Sequence, residues 1–137
     1  MKVLVATDGS EHSMKAVQEG VELAEKKGAQ VTLMSVAYYV PDYLEEMPPN
    51  IREKLENEAW AALKKGKALF DAKNLPVETV MEAGLVPANL IIAKAQDGKF
   101  DRIVIGSTGQ NALDKMVMGS TATKVVAHAG CEVTVIR

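Results

Sequence analysis

The chain has 137 residues, 47 % of them apolar, with 16 basic and 18 acidic side chains and a net charge of −2. A chain of this length is expected to form a single domain over residues 1–137, burying roughly 68 % of its unfolded surface. The balance excludes disorder, which needs low hydrophobicity with high net charge, and also a helical membrane span, because the longest apolar runs, Val36–Val40 and Ala59–Leu63, have five residues.

Val3-Leu4-Val5-Ala6 reads as a strand whose unbroken apolar run suits a position buried on both faces. Gly9-Ser10 stops it, with Ser10 placed to cap the next helix. On that helix Met14, Val17, Val21 and Ala24 fall on one face, and Lys26-Lys27-Gly28 closes it with cations and a C′ glycine. A second strand runs from Val31 to Val36, with Tyr38 and Tyr39 leading out of it and packing the irregular stretch 41–50, where Pro41, Pro48 and Pro49 forbid regular pairing. Asn50 with Glu53 resembles a capping box for a long helix whose inner side carries Ile51, Leu55, Ala59, Leu63, Gly66 and Phe70. The mixed charges between Arg52 and Lys73 are then its wet face.

Val77–Met81 predicts the third strand, and Pro87 opens a third helix that closes near Asp97-Gly98. Ile103-Val104-Ile105 is the fourth strand. A glycine-marked loop from Gly106 to Gly119 leads to a short helix ending around Gly130, and Cys131–Arg137 is the fifth strand. The alternation of strand and helix predicts an α/β fold with a Rossmann-like, doubly wound parallel sheet of five strands and four helices. Strands one and four are apolar on both faces and belong in the middle. Glu78 and Thr79, like Glu132 and Thr134, mark strands three and five as edges. The order 3-2-1-4-5 satisfies this together with right-handed crossovers.

In such a sheet ligands bind beyond the strand ends where the order reverses, here between strands one and four. The exits there are Ala6-Thr7-Asp8-Gly9-Ser10 and Gly106-Ser107-Thr108-Gly109. The second belongs to the pattern G-x-x-G-x9-G-S, ending in Gly119-Ser120. Glycines permit close backbone approach, and Gly119-Ser120-Thr121 opens a helix whose N-terminal N–H groups favour phosphate. Two alternatives stay open on local spacing: Gly106 and Gly109 as a tight exit turn with Ser120 as an N-cap, and Asp8 as a helix-entry residue. His12 and His128 stand apart with no metal-ligand spacing, so no metal site is expected. Cys131 reads as a small buried hydrophobe. Met116 and Met118 are expected to cover apolar surface beside the loop, and a phosphate contact is the lesser of the two readings of Lys115. There is no G-x4-G-K-[ST] and no base beside the glycines, so no catalytic residue is named and efficient hydrolysis is not expected.

The segments Leu4–Ser13, Ile103–Gly109, Gly119-Ser120 and Val133–Arg137 together resemble the universal stress protein family over essentially the whole chain. The resemblance implies an adenine-nucleotide α-hydrolase-like fold, and its glycine pattern implies the ATP-binding branch, with ATP as ligand, with or without Mg²⁺. By position, Ala6, Thr7 and Asp8 would border the adenosine, with Asp8 accepting from ribose or base, and Val36 would present backbone groups to the adenine edge; shielding an adenine is the alternative to packing for Tyr38 and Tyr39. Gly106, Thr108 and Gly109 would approach the ribose and α-phosphate, while Gly119, Ser120, Thr121 and Ala122 would hold the outer phosphates. Thr108 and Ala122 depart from residues common in the family at those positions, which implies weaker affinity. It further implies a homodimer through the C-terminal edge strand 132–137, itself uncovered in the predicted order, an unidentified protein partner, and a nucleotide-responsive regulatory role in stress. A slow ATPase or phosphoryl-transfer enzyme and a nucleotide-free dimeric scaffold are the rival readings. Near-neutral charge argues against nucleic acid as a partner, the apolar runs argue against a membrane, and a lone cysteine with no readable leader makes the cytoplasm the expected location.

Overall fold

In the computed structural model, which describes residues 1–40, 47–108 and 118–137, the chain alternates strand and helix throughout. The order is β1 (Lys2–Ala6), α1 (Glu11–Lys27), β2 (Gln30–Ala37), α2 (Pro49–Asp71), β3 (Glu78–Ala83), α3 (Pro87–Asp97), β4 (Arg102–Gly106), α4 (Ser120–His128) and β5 (Glu132–Ile136). The strands form one sheet in the order β3-β2-β1-β4-β5, as the distribution of polar residues over the edge strands predicts. All four pairings are parallel, with Val5 opposite Leu33 on one side and Val104 on the other.

The two-residue period of the strands divides the core into two halves. Val3, Val5, Val31, Leu33 and Val104 face α1 and α2, where they meet Val17, Val21, Leu63 and Phe70. Leu4, Ala6, Met34, Ile103 and Ile105 face α3 and α4, against Ile91, Ala95 and Val125. Leu4, Leu33, Phe70 and Ile103 are completely or almost completely buried, each such side chain contributing about 2 kcal/mol of transfer free energy. A Cβ on Gly20 would come within 2.9 Å of Val5 Cγ2, and one on Gly66 within 2.9 Å of Leu33 Cδ1. These helical glycines let α1 and α2 lie close on the sheet.

Ser10 caps α1 as expected, accepting from Ser13 N–H at 3.4 Å, and Gly28 closes it at φ 66°. Helix α2 departs from expectation. It begins at Pro49 with Pro48 at the cap and no side-chain cap bond, so Asn50 lies inside the helix rather than before it. Prolines pre-set helical φ, Pro48 has no N–H for a capping box to satisfy, and Ile51 N–H donates to Pro48 O at 3.0 Å. Ile51 is 46 % exposed and does not join the inner side of α2. The third strand runs two residues beyond the expected Met81, to Ala83. Tyr39 is buried with Ala37 and Ala59, whereas Tyr38 is 60 % exposed and does not pack with it. Met118 covers apolar surface on the α3–α4 side. Lys115, Met116, Gly109 and Pro41 lie outside the described residues. No helix among the described residues is long and apolar enough to cross a membrane.

Candidate functional site

The sheet order reverses between β1 and β4, and there a cleft of about 620 Å³ opens beyond the carboxyl ends of the strands. Of the eleven residues singled out in the sequence, Gly109 lies outside the described residues. The other ten, Ala6, Thr7, Asp8, Val36, Gly106, Thr108, Gly119, Ser120, Thr121 and Ala122, all line this cleft. Met34, Val36, Pro87 and Ile91 supply an apolar wall from β2 and α3.

The β1–α1 turn is held internally. Thr7 continues the sheet by donating its N–H to Met34 O at 2.9 Å, and its hydroxyl lies 3.0 Å from Ser13 Oγ. Gly9, at φ 83°, makes the reversal that an L side chain resists, and donates to Thr7 Oγ1 at 3.2 Å. Asp8 Oδ1 accepts from Ser10 N–H at 2.9 Å, which is the helix-entry role, while the exposed residue also lines the cleft. The two readings of Asp8 are thus compatible.

At the β4 exit close packing, rather than a positive φ, accounts for the glycine at 106. Gly106 is not at positive φ. A Cβ there would stand 2.8 Å from the His12 carbonyl carbon and 2.9 Å from its oxygen, so the glycine admits the first turn of α1 against β4. Ser107, 1 % exposed, ties three elements together. Its N–H donates to Ile136 O at 2.8 Å, its carbonyl accepts from Gly119 N–H at 2.6 Å, and its hydroxyl lies 3.5 Å from His12 Nδ1.

Helix α4 starts at this junction. Its N-cap is Gly119, not Ser120, and no side chain caps it among the described residues. The first rung of the helix is Thr123 N–H to Gly119 O at 3.0 Å, which leaves the N–H groups of Ser120, Thr121 and Ala122 outside the helical ladder. Beside them Thr108 is 5 % exposed, and its Oγ1 has no hydrogen-bond partner among the described residues. Orphan donors, a positive dipole end and an unsatisfied buried hydroxyl together suit an anion. Ala122 is buried and offers only its backbone.

Glu58 lines the cleft without any site signal in the sequence, and Tyr38, which the sequence offers either as packing or as an adenine shield, lines it as well. Glu58 sits in a charged helical run whose local pattern marks only a solvated face, and only the crossing of α2 over the β1–α1 turn brings it to the site. Among the described residues no group of three or more His, Cys, Asp or Glu side chains is placed to hold a metal. Cys131 lies beside β5, partly buried rather than buried. Burial pushes its thiol pKa up, with Asp101 and Glu132 adding to the effect, so thiolate formation is suppressed.

A family model described as the universal stress protein family matches residues 1–137. A universal stress protein of Methanocaldococcus jannaschii is 34 % identical over 139 residues, covering 99 % of this chain and 81 % of that one. The solved UspA of Lactobacillus plantarum superposes with a TM-score of 0.83 at 29 % identity, covering 100 % of this chain and 97 % of that one. Two more distant structures share the fold. A universal stress protein in complex with cAMP has a TM-score of 0.77 at 21 % identity, covering 100 % and 97 %. An Arabidopsis thaliana family member with AMP bound has a TM-score of 0.70 at 18 % identity, covering 99 % and 90 %.

Proposed function

This chain belongs to the universal stress protein family, and from that premise we propose that its cleft holds an adenine nucleotide, ATP with or without Mg²⁺, in a homodimeric regulatory module of the cytoplasmic stress response. The observation that carries the reading is the start of α4 beside the buried Thr108 hydroxyl, neither of them capped or satisfied among the described residues, in the cleft formed where the sheet reverses. The N–H groups of Ser120, Thr121 and Ala122 would hold phosphate, with the hydroxyls of Ser120, Thr121 and Thr108 beside them. Asp8 would accept from the ribose, and the apolar wall with the Val36 backbone would receive the base. The complexes of family members with cAMP and AMP support an adenylate as the ligand class. The lining includes no lysine or arginine among the described residues, so there the backbone donors would carry the phosphate contacts.

Mass action supplies the test. A ligand at a hundred times its Kd raises the unfolding free energy by about 2.7 kcal/mol. Saturating ATP, ADP or AMP, each with and without Mg²⁺, is therefore expected to raise Tm in a concentration-dependent way. An unchanged Tm with all three at millimolar concentration would remove nucleotide binding as the function.

The dimer reading rests on β5, which among the described residues pairs only with β4. Ile136 turns its carbonyl inward to accept from Ser107 N–H. By the strand's two-residue alternation Val133 and Val135 turn their N–H and carbonyl groups outward, where a second copy would pair around a two-fold. Val135→Pro removes one outward N–H and leaves the β4 ladder intact. In sedimentation equilibrium the wild type is expected at twice the 14.7 kDa chain mass and the variant at one chain. A wild-type monomer, or a variant still dimeric at the same concentration, contradicts an interface through this edge.

A further inference from the structure

We propose that the ring of Tyr38 is the stacking platform for the ligand's base, so that the aromatic base and not the phosphate alone sets affinity; this rests on the nucleotide reading above. Tyr38 is exposed, and it is the one aromatic side chain lining the cleft among the described residues. Its mount is rigid. Tyr39 N–H donates to Ala37 O at 3.0 Å, closing a three-residue turn with Tyr38 at its centre. The same carbonyl accepts from Gly84 N–H at 3.0 Å, which ties the turn to the end of β3. Ala37 and Tyr39, on either side of Tyr38, are both buried in one cluster with Ala59. The chain thus buries both neighbours and leaves the large ring between them open to the cleft.

The backbone just before the ring offers an edge for a base. Strands β1 and β2 stay in register through Ala6 opposite Met34, and Thr7 N–H makes the last rung to Met34 O at 2.9 Å. Gly9 N–H, the next donor that could extend this ladder, goes to Thr7 Oγ1 at 3.2 Å instead. By the two-residue alternation Ala37 turns its carbonyl toward β3, while Val36 turns its N–H and carbonyl toward β1, past the last rung. A donor and an acceptor on one residue suit the edge of a heteroaromatic base, and they leave its faces uncovered. Such an edge contributes little net affinity, because each hydrogen bond made replaces one to water. Covering a face is where the gain lies, and truncating an aromatic platform to alanine typically costs a stacked base about five- to a hundredfold in affinity. Stacking uses the ring and not the phenolic hydroxyl, so phenylalanine serves as well.

The test is calorimetric titration of adenosine and of AMP into the wild type, Tyr38→Phe, Tyr38→Leu and Tyr38→Ala, with urea unfolding of each protein alongside. Tyr38→Ala is expected to weaken both ligands by the same factor, about five- to a hundredfold, because the ring touches the base that they share. Tyr38→Phe is expected to bind both within about twofold of the wild type. Tyr38→Leu, which keeps apolar bulk without a π face, is expected to fall nearer to alanine than to phenylalanine. Because the side chain is exposed, the unfolding midpoints are expected to stay at the wild-type value. In proton NMR the adenine H2 and H8 resonances are expected to move upfield on binding to the wild type and Tyr38→Phe but not to Tyr38→Leu. Wild-type adenosine affinity in Tyr38→Ala, or Tyr38→Leu binding as tightly as Tyr38→Phe, would overturn the platform while nucleotide binding stands. If neither ligand binds the wild type at millimolar concentration, the nucleotide reading fails and the platform with it.

Discussion

Gly106→Val is expected to destabilise the protein by about 3 kcal/mol or more, lowering Tm by roughly 10 °C. The reason is steric and specific. A Cβ at this position would meet His12 backbone atoms at 2.8 and 2.9 Å and the Ser13 nitrogen at 3.0 Å. Those atoms belong to the first turn of α1, which is fixed in turn by the Ser10 cap and the Thr7–Ser13 contact. A backbone cannot rotate out of the way as a flexible side chain can, so α1 must lift from β4. Gly119→Ala provides the scale, because its Cβ would lie 3.2 Å from Ser107 O and a shift of a few tenths of an ångström accommodates it. Urea unfolding of the two variants is expected to give a loss for Gly106→Val at least twice that for Gly119→Ala. A Gly106→Val protein of wild-type stability would contradict the close packing of α1 on β4.

Ser120→Pro is expected to lower AMP affinity about ten- to a hundredfold while changing stability by less than about 1 kcal/mol. Ser120 is the first helical residue of α4, where proline is favoured because the N–H has no intrahelical role. Gly119 is at φ −65°, ψ 163°, the extended conformation required before a proline. The substitution therefore preserves the helix and removes one N–H and one hydroxyl from the anion-holding end. A hydrogen bond to a charged group contributes about 1.5–3 kcal/mol, which sets the expected fold-change. Adenosine, which has no phosphate, is expected to bind both proteins equally. Equal loss for adenosine and AMP would place the effect on the fold of the cleft rather than on phosphate.

Much of this was readable from residues alone. The unbroken apolar runs of β1 and β4 against the glutamates of β3 and β5 are long-range consequences of burial written into local composition, and they yield the strand order. That order brings the two glycine-bearing loops together without further information. The reason for each glycine was not readable. Gly106 serves the approach of α1, from a residue more than ninety positions away, and no local pattern distinguishes that from a turn or a ligand contact. Gly9, whose positive φ makes the β1–α1 reversal, reads in the sequence only as a strand stop. The cap of α4 shifts by one residue because Gly119 is fixed by its bond to Ser107, which is also a tertiary contact. Glu58 is the clearest case. Its neighbours Lys54, Glu56 and Asn57 give it the signature of a solvated helix face, and only the crossing of α2 over Gly9 turns it toward the cleft.

The central claim is that the cleft holds an adenine nucleotide with its phosphate on the start of α4. Calorimetric titration of AMP and of adenosine into wild type and Ser120→Pro in parallel tests it most directly. Saturable binding of AMP at one site per chain is expected in the wild type, tighter than that of adenosine, with that advantage lost in Ser120→Pro. No binding of AMP to the wild type at millimolar concentration, or an undiminished preference for AMP in Ser120→Pro, would contradict it.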